Sequence, residues 1–192
     1  MSLKKFRIAV FASGNGTNAE AIIKYFQYHR STEVALLLTN NPRAYALQRA
    51  KDHGIASHSF TREEFTEGAS VKAYLKQHGI THIVLAGFLW LIPDYLIRLF
   101  PDKIVNIHPA LLPKFGGKGM YGAKVHEAVR ASGALETGVT IHLVNEQYDE
   151  GKILFQGKCE IHTNQTAEEI AACVHQLEHE HYPKVIEQWI GS

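Results

Sequence analysis

Nowhere does the chain stay apolar long enough to cross a bilayer: its longest such run, IVLAGFLWLI at 83–92, is about half of the ~20 residues a spanning helix needs. That run reads as a core segment. Cysteine is nearly absent. Cys159 and Cys173 are the only two and lack C-x-x-C spacing, so no disulfide framework is expected, which fits a reducing compartment. Neither charge is in excess: 20 basic residues against 19 acidic ones leave a formal +1, too weak a field to draw the chain to nucleic acid or a membrane surface. A small anionic substrate remains compatible. Repeats and low-complexity tracts are missing as well. The start, MSLKKFRIAVFASGNG, puts basic residues before a short apolar run, but no cleavage-like small-residue site follows. The cytoplasm is the expected location.

What is present suffices for one core: 192 residues, 45% of them hydrophobic, point to a single domain over 1–192. Apolar, β-branched runs at 7–12, 33–39, 81–88 and 103–108 predict strands, and helix-like segments at 18–29, 43–53, 63–78 and 93–100 lie between them. This rhythm predicts an α/β fold with an open, mostly parallel, doubly wound (Rossmann-like) sheet. After about residue 121 the pattern changes to a helix near 121–132, strands near 137–145 and 152–161 joined by NEQYDEGK, and a last helix over about 167–190. An antiparallel extension is expected there. The Pro- and Gly-rich PALLPKFGGKGM at 109–120 predicts a long loop, and loops after strand ends are where open α/β sheets bind ligands.

Three stretches carry candidate chemistry. In FASGNGTNAEAII at 11–23 a strand ends, two glycines intervene and a helix begins, which leaves backbone N–H groups free to meet an anion. A tight turn without a ligand is the alternative. Gly14, Gly16 and Ala19 also fit G-x-G-x-x-A, but the second strand ends in Thr39, Asn40 and Asn41, with no acid for a ribose. No Lys-Ser/Thr pair completes a Walker A loop, so a phosphate monoester suits the turn better than a dinucleotide.

The second stretch, HQLEH at 175–179, fits the H-x-x-E-H pattern of one zinc protease class. A catalytic zinc needs a third protein ligand, and beyond Glu180, next to His179, Glu187 is the sole late carboxylate, so no metal is expected. The third is IVNIHPALLP at 104–113. Alternation puts Asn106 and His108 on one face of a strand. No Ser or Cys lies beside them to be activated, so amide and imidazole read as donors to a developing oxyanion, with Asp149 of YDEG able to orient the imidazole. The alternative is a pair of satisfied core polar groups at a strand end.

Taken together, SGNGTN (13–18), VLAGFLWLI (84–92), NIHPALLP (106–113), YDEGKILFQ (148–156) and LEHEHYPKVI (177–186) resemble, in order and over nearly the whole chain, the folate-dependent formyltransferases. The resemblance implies transfer of a formyl group from 10-formyltetrahydrofolate, and the SGNGTN segment and chain length favour the branch that formylates 5-phosphoribosylglycinamide in purine biosynthesis. Branches acting on initiator tRNA add a C-terminal domain, and the hydrolases add an N-terminal one. It further implies that Asn106, protonated His108 and Asp149 are catalytic, and that Gly16, Thr17 and Asn18 bind the ribonucleotide phosphate while Glu178 meets the glycinamide portion. Leu89, Trp90, Leu91, Ile92 and Asn106 would border the folate. Residues 1–108 would form the ribonucleotide-binding part and 109–192 complete the folate site, with small-molecule substrates, no metal, no nucleic acid, no membrane, and a monomer or weak homodimer.

Three departures stand out. Ala110 and Trp90 occupy positions where relatives often carry Ser and Arg, and 61–70 offers no clear counterpart to an Arg used near the folate tail. Lys114, Lys118 and Lys124 in the long loop are further cations for a carboxylated tail or a phosphate.

Overall fold

Alternation within the first strand explains why helices cover both sides of the sheet. In the computed structural model, which describes residues 6 to 191, Ile8, Val10 and Ala12 enter one apolar cluster and Ala9 and Phe11 the other. The basic start weighed above lies largely in 1–5, outside the described residues. The strands are β1 (Phe6–Phe11), β2 (Thr32–Thr39), β3 (Ala56–Ser59), β4 (His82–Leu85), β5 (Ile104–His108), β6 (Glu136–Leu143) and β7 (Ile153–Glu160). They form one sheet in the order β3-β2-β1-β4-β5-β6-β7. β3 to β5 pair in parallel, and β6 and β7 add antiparallel, so the doubly wound sheet and its antiparallel extension are both present.

The helices are α1 (Thr17–Phe26), α2 (Tyr45–Asp52), α3 (Arg62–Glu67), α4 (Ala69–Gln77), α5 (Asp94–Leu99), α6 (Ala123–Ala131) and α7 (Ala167–Gly191). α1 buries Ala19, Ile22, Ile23 and Phe26, the i, i+3, i+4, i+7 stripe of a helix lying on a sheet. With α2 and α7 it covers one face; Phe65 of α3, Val71 and Leu75 of α4 and Leu96 of α5 cover the other. The chain leaves β1 toward β2 and β3, then returns to β4 on the far side of β1. That reversal opens a crevice at the carboxyl ends of β1 and β4.

Four expectations need correction. The segment 63–78 is two helices, because Gly68 takes φ +76° with the Tyr95 ring against it, and a capping box of Thr61 and Glu64 starts the first of them. β3 was not expected: ASHS is a short polar edge strand with no apolar alternation to announce it. The strand at 81–88 ends at Leu85, since Gly87 at φ +71° turns the chain away. Finally, Cys159 of β7 and Cys173 of α7 are neighbours, not distant thiols. Their Cα atoms lie 6.8 Å apart, because β7 packs directly on α7, a proximity that a sequence separation of 14 residues does not reveal.

Candidate active site

The carboxyl ends of β1, β4 and β5 open into one cavity of about 620 Å³. The turn after β1 supplies one wall, the 86–92 segment after β4 a second, and β5, the 144–149 segment and α7 the rest. Every residue to which the resemblance gives a catalytic or binding role lines it: Gly16, Thr17, Asn18, Leu89, Trp90, Leu91, Ile92, Asn106, His108, Asp149 and Glu178.

At its centre Asn106 and His108 lie on β5 and Asp149 in the segment joining β6 to β7. His108 Nδ1 is 3.4 Å from Asp149 Oδ2, and Asn106 Nδ2 reaches Asp149 Oδ1 at 3.5 Å. Asp149 is held at φ +57°, a left-handed conformation that Asp tolerates better than most residues with a Cβ, and Gly117 N–H donates to its Oδ2 at 2.9 Å. Burial alone would raise the Asp149 carboxyl. The adjacent His142 and His108 and the Gly117 N–H outweigh it and hold the group below its usual range.

Two influences oppose each other at His108: both ring nitrogens face acceptors, the arrangement of an imidazolium, while burial disfavours the charged form. Burial pushes the imidazolium down, and the Asp149 carboxylate and the Phe115 carbonyl only partly oppose it. Its Nε2–H donates to the Phe115 carbonyl at 2.7 Å, so the donor that would meet an oxyanion is engaged by the 109–122 loop.

His142 was missed. It sits on β6 directly opposite Asn106, is 2% exposed, and donates from Nδ1 to the Leu143 carbonyl at 2.8 Å. Its Nε2 lies 3.1 Å from Asn106 Nδ2 and 3.5 Å from Asp149 Oδ1. The available signal was the polar alternation of Thr140 and His142 along an otherwise apolar VTIHL, readable only once β6 is known to pair with β5.

At the opposite end, the N–H groups of residues 14 to 18 donate to nothing else among the described residues. Asn18 Nδ2 donates to Glu178 Oε2 at 2.9 Å, and His175 Nδ1 bonds the same oxygen at 2.8 Å. The Glu178 carboxylate raises His175 above its ordinary range, so HQLEH is a carboxylate held by its neighbours, with His179 exposed. Among the described residues, no group of three or more His, Cys, Asp or Glu could hold a metal ion. Two buried polar atoms of the cavity lining, Asn18 Oδ1 and His126 Nδ1, have no hydrogen-bond partner. Such orphans cost about 1–3 kcal/mol each and point to ligand groups that satisfy them.

Trp90 packs against Phe60, Phe65 and Phe88. The Arg62 guanidinium lies 4.0 Å over its ring, so the 61–70 stretch does place an Arg beside this wall. Of the loop lysines, Lys118 lines the cavity, whereas Lys124 stacks on Tyr121.

A sequence profile described as "Formyl transferase" matches residues 6–186. The chain is 42% identical over 189 residues to a chloroplastic phosphoribosylglycinamide formyltransferase of Arabidopsis thaliana, covering 95% of this chain and 65% of that protein. It is 39% identical over 194 residues to the phosphoribosylglycinamide formyltransferase of Bacillus subtilis, covering 98% and 96%. The chain thus spans less than two thirds of the plant relatives and nearly all of the bacterial one. Among solved structures, a phosphoribosylglycinamide formyltransferase from Bacillus halodurans superposes with a TM-score of 0.86 at 36% identity, covering 95% of this chain and 94% of that one.

Proposed function

Because the chain belongs to the formyl transferase family, we propose that it transfers the formyl group of 10-formyltetrahydrofolate to the amine of 5-phosphoribosylglycinamide, a step of purine biosynthesis. The observation that carries this reading is a single one: the cluster of Asn106, His108 and Asp149 lies in the same cavity as the free N–H groups of the 14–18 turn and the 86–92 wall. Residues 1–108 bring the phosphate turn. Residues 109–192 complete the folate side and contribute Glu178 to the ribonucleotide.

The substrate amine attacks the formyl carbon, the new C–N bond forms, and the carbonyl electrons move onto oxygen. Asn106 Nδ2–H, in exchange for its long contact with Asp149 Oδ1, and His108 Nε2–H, after the Phe115 carbonyl yields its bond, donate to that oxyanion. A neutral imidazole suffices for this, since one N–H is all the oxyanion needs. Collapse breaks the bond from the formyl carbon to the folate nitrogen, and the proton lost by the attacking amine passes to that nitrogen with ionised Asp149 as the relay. Gly16, Thr17 and Asn18 hold the phosphate. Leu89, Trp90, Leu91 and Ile92 border the pterin, with Arg62 on Trp90 and Lys118 of the cavity lining the cations offered to a carboxylated tail. No metal takes part in the step, and the protein acts on small molecules in the cytoplasm as a monomer or weak homodimer, without nucleic acid or membrane.

Asn106→Ala and His108→Ala test the roles. Each is expected to lower kcat by about 10²–10³ or more while the variant keeps its fold and binds both substrates; near wild-type turnover in purified His108→Ala overturns the assignment. A non-catalytic nucleotide-binding module is the rival class. Tight NAD binding without folate binding would favour it.

A further inference from the structure

A trans peptide points its C=O and its N–H in opposite directions, so whatever grips a carbonyl also aims the N–H of the next residue. In the turn after β1 all four carbonyls are gripped from outside the cavity. Asn41 Nδ2 donates to Ser13 O at 3.3 Å, Ala46 N–H to Gly14 O at 3.1 Å, and Glu20 N–H to Gly16 O at 2.9 Å. Arg49 of α2 takes the remaining one, donating from Nε to Asn15 O at 2.9 Å. Its Nη2 also donates to Asn15 Oδ1 at 3.1 Å, while Nη1 bonds the Glu20 carboxylate. Asn15 is therefore held at two points by one planar fork, the geometry that a guanidinium supplies and an ammonium cannot. The same grip turns Gly16 N–H the other way, into the cavity.

Arg49 shares the Glu20 carboxylate with Lys24 and His53; Glu20 itself is lowered to about 2, first by Lys24, with His53 and Arg49 assisting and burial opposing. Its contribution is geometric. The geometry points to Arg49 as a positioning residue for ribonucleotide binding: it presets the phosphate turn so that Gly16 N–H meets the phosphate without rearrangement. This rests on the 14–18 turn being the phosphate site.

Steady-state kinetics of Arg49→Gln, with both substrates varied, test it. The expected result is a KM for phosphoribosylglycinamide raised about tenfold or more, kcat at saturation within about twofold and an unchanged KM for 10-formyltetrahydrofolate. Competitive inhibition by inorganic phosphate should weaken by the same factor, and Arg49→Lys should not restore it. A KM for the ribonucleotide within about twofold of wild type, or equal losses toward both substrates, overturns the proposal. If Arg49→Gln misfolds through the stranded Glu20 carboxylate, the double variant Glu20→Gln/Arg49→Gln decides on the same two criteria. Wild-type protein that fails to formylate phosphoribosylglycinamide overturns the proposed function instead.

Discussion

His142 does by contact what Asp149 does by charge. With Nδ1 committed to a backbone carbonyl, its Nε2 packs against the Asn106 amide nitrogen, and its ring borders Asp149. Removing it frees two of the three central groups at once. His142→Ala is therefore expected to lower kcat by roughly 10- to 100-fold, the cost of a misplacement near 1 Å, with the KM for folate little changed; steady-state kinetics check this. His108 leads to a second expectation. Since burial lowers the His108 imidazolium below its ordinary range, kcat/KM should rise with pH until the substrate amine is deprotonated, at about pH 8 for an amine of ordinary α-amino pKa, with no fall between pH 6.5 and 8 from loss of an imidazolium. A descending limb centred near pH 6.5–7 would require the protonated histidine that the resemblance implied.

The turn after β1 is the element on which ribonucleotide recognition depends, and its tightest point is Gly16. A Cβ there would lie 2.6 Å from Ala46 Cβ at a φ of +77°, so Gly16→Ala meets both left-handed strain and α2. It is expected to destabilise the protein by about 2–5 kcal/mol, read from the urea midpoint, or to displace α2 and raise the KM for the ribonucleotide. Much of this element was legible beforehand, because glycines between an apolar strand and an amphipathic helix leave few conformations open. The central pair was legible for a similar reason: the period of two puts Asn106 and His108 on one face whatever the strand's neighbours. What stayed hidden depends on neighbours. His142 becomes part of the site only through the antiparallel register of β5 with β6, Arg62 only through its stacking on Trp90, and Arg49 only through the packing of α2 against the turn. β3 escaped because an edge strand needs no apolar alternation, and the Cys159–Cys173 proximity because nothing in the spacing brings β7 onto α7.

At the scale of the molecule, three buried histidines tie stability to pH. His82, between the Phe6 and Trp189 rings, is lowered to about 4, by burial first and then by Lys103; burial also lowers His108 and His126. Each binds a proton more readily when unfolded, so stability is full above pH 6.5 and falls as pH drops toward the folded values. His82 alone accounts for on the order of 2–3 kcal/mol between pH 6.5 and 4. His175, raised by Glu178, works in the opposite sense, and the lowered Asp149 and Glu20 contribute losses only below about pH 4.5. The urea midpoint is therefore expected to fall from pH 7 to pH 4.5, and to fall less in His82→Phe.

The same scale holds the central idea, that the phosphate turn on one side of β1 and the folate wall beyond β4 open into one cavity around Asn106, His108 and Asp149. The most direct test is release of tetrahydrofolate from 10-formyltetrahydrofolate by the purified protein, with and without phosphoribosylglycinamide. The expected result is release only with the amine present, one formylated product per folate. Release at the same rate without the amine, or none with it, contradicts formyl transfer at this site.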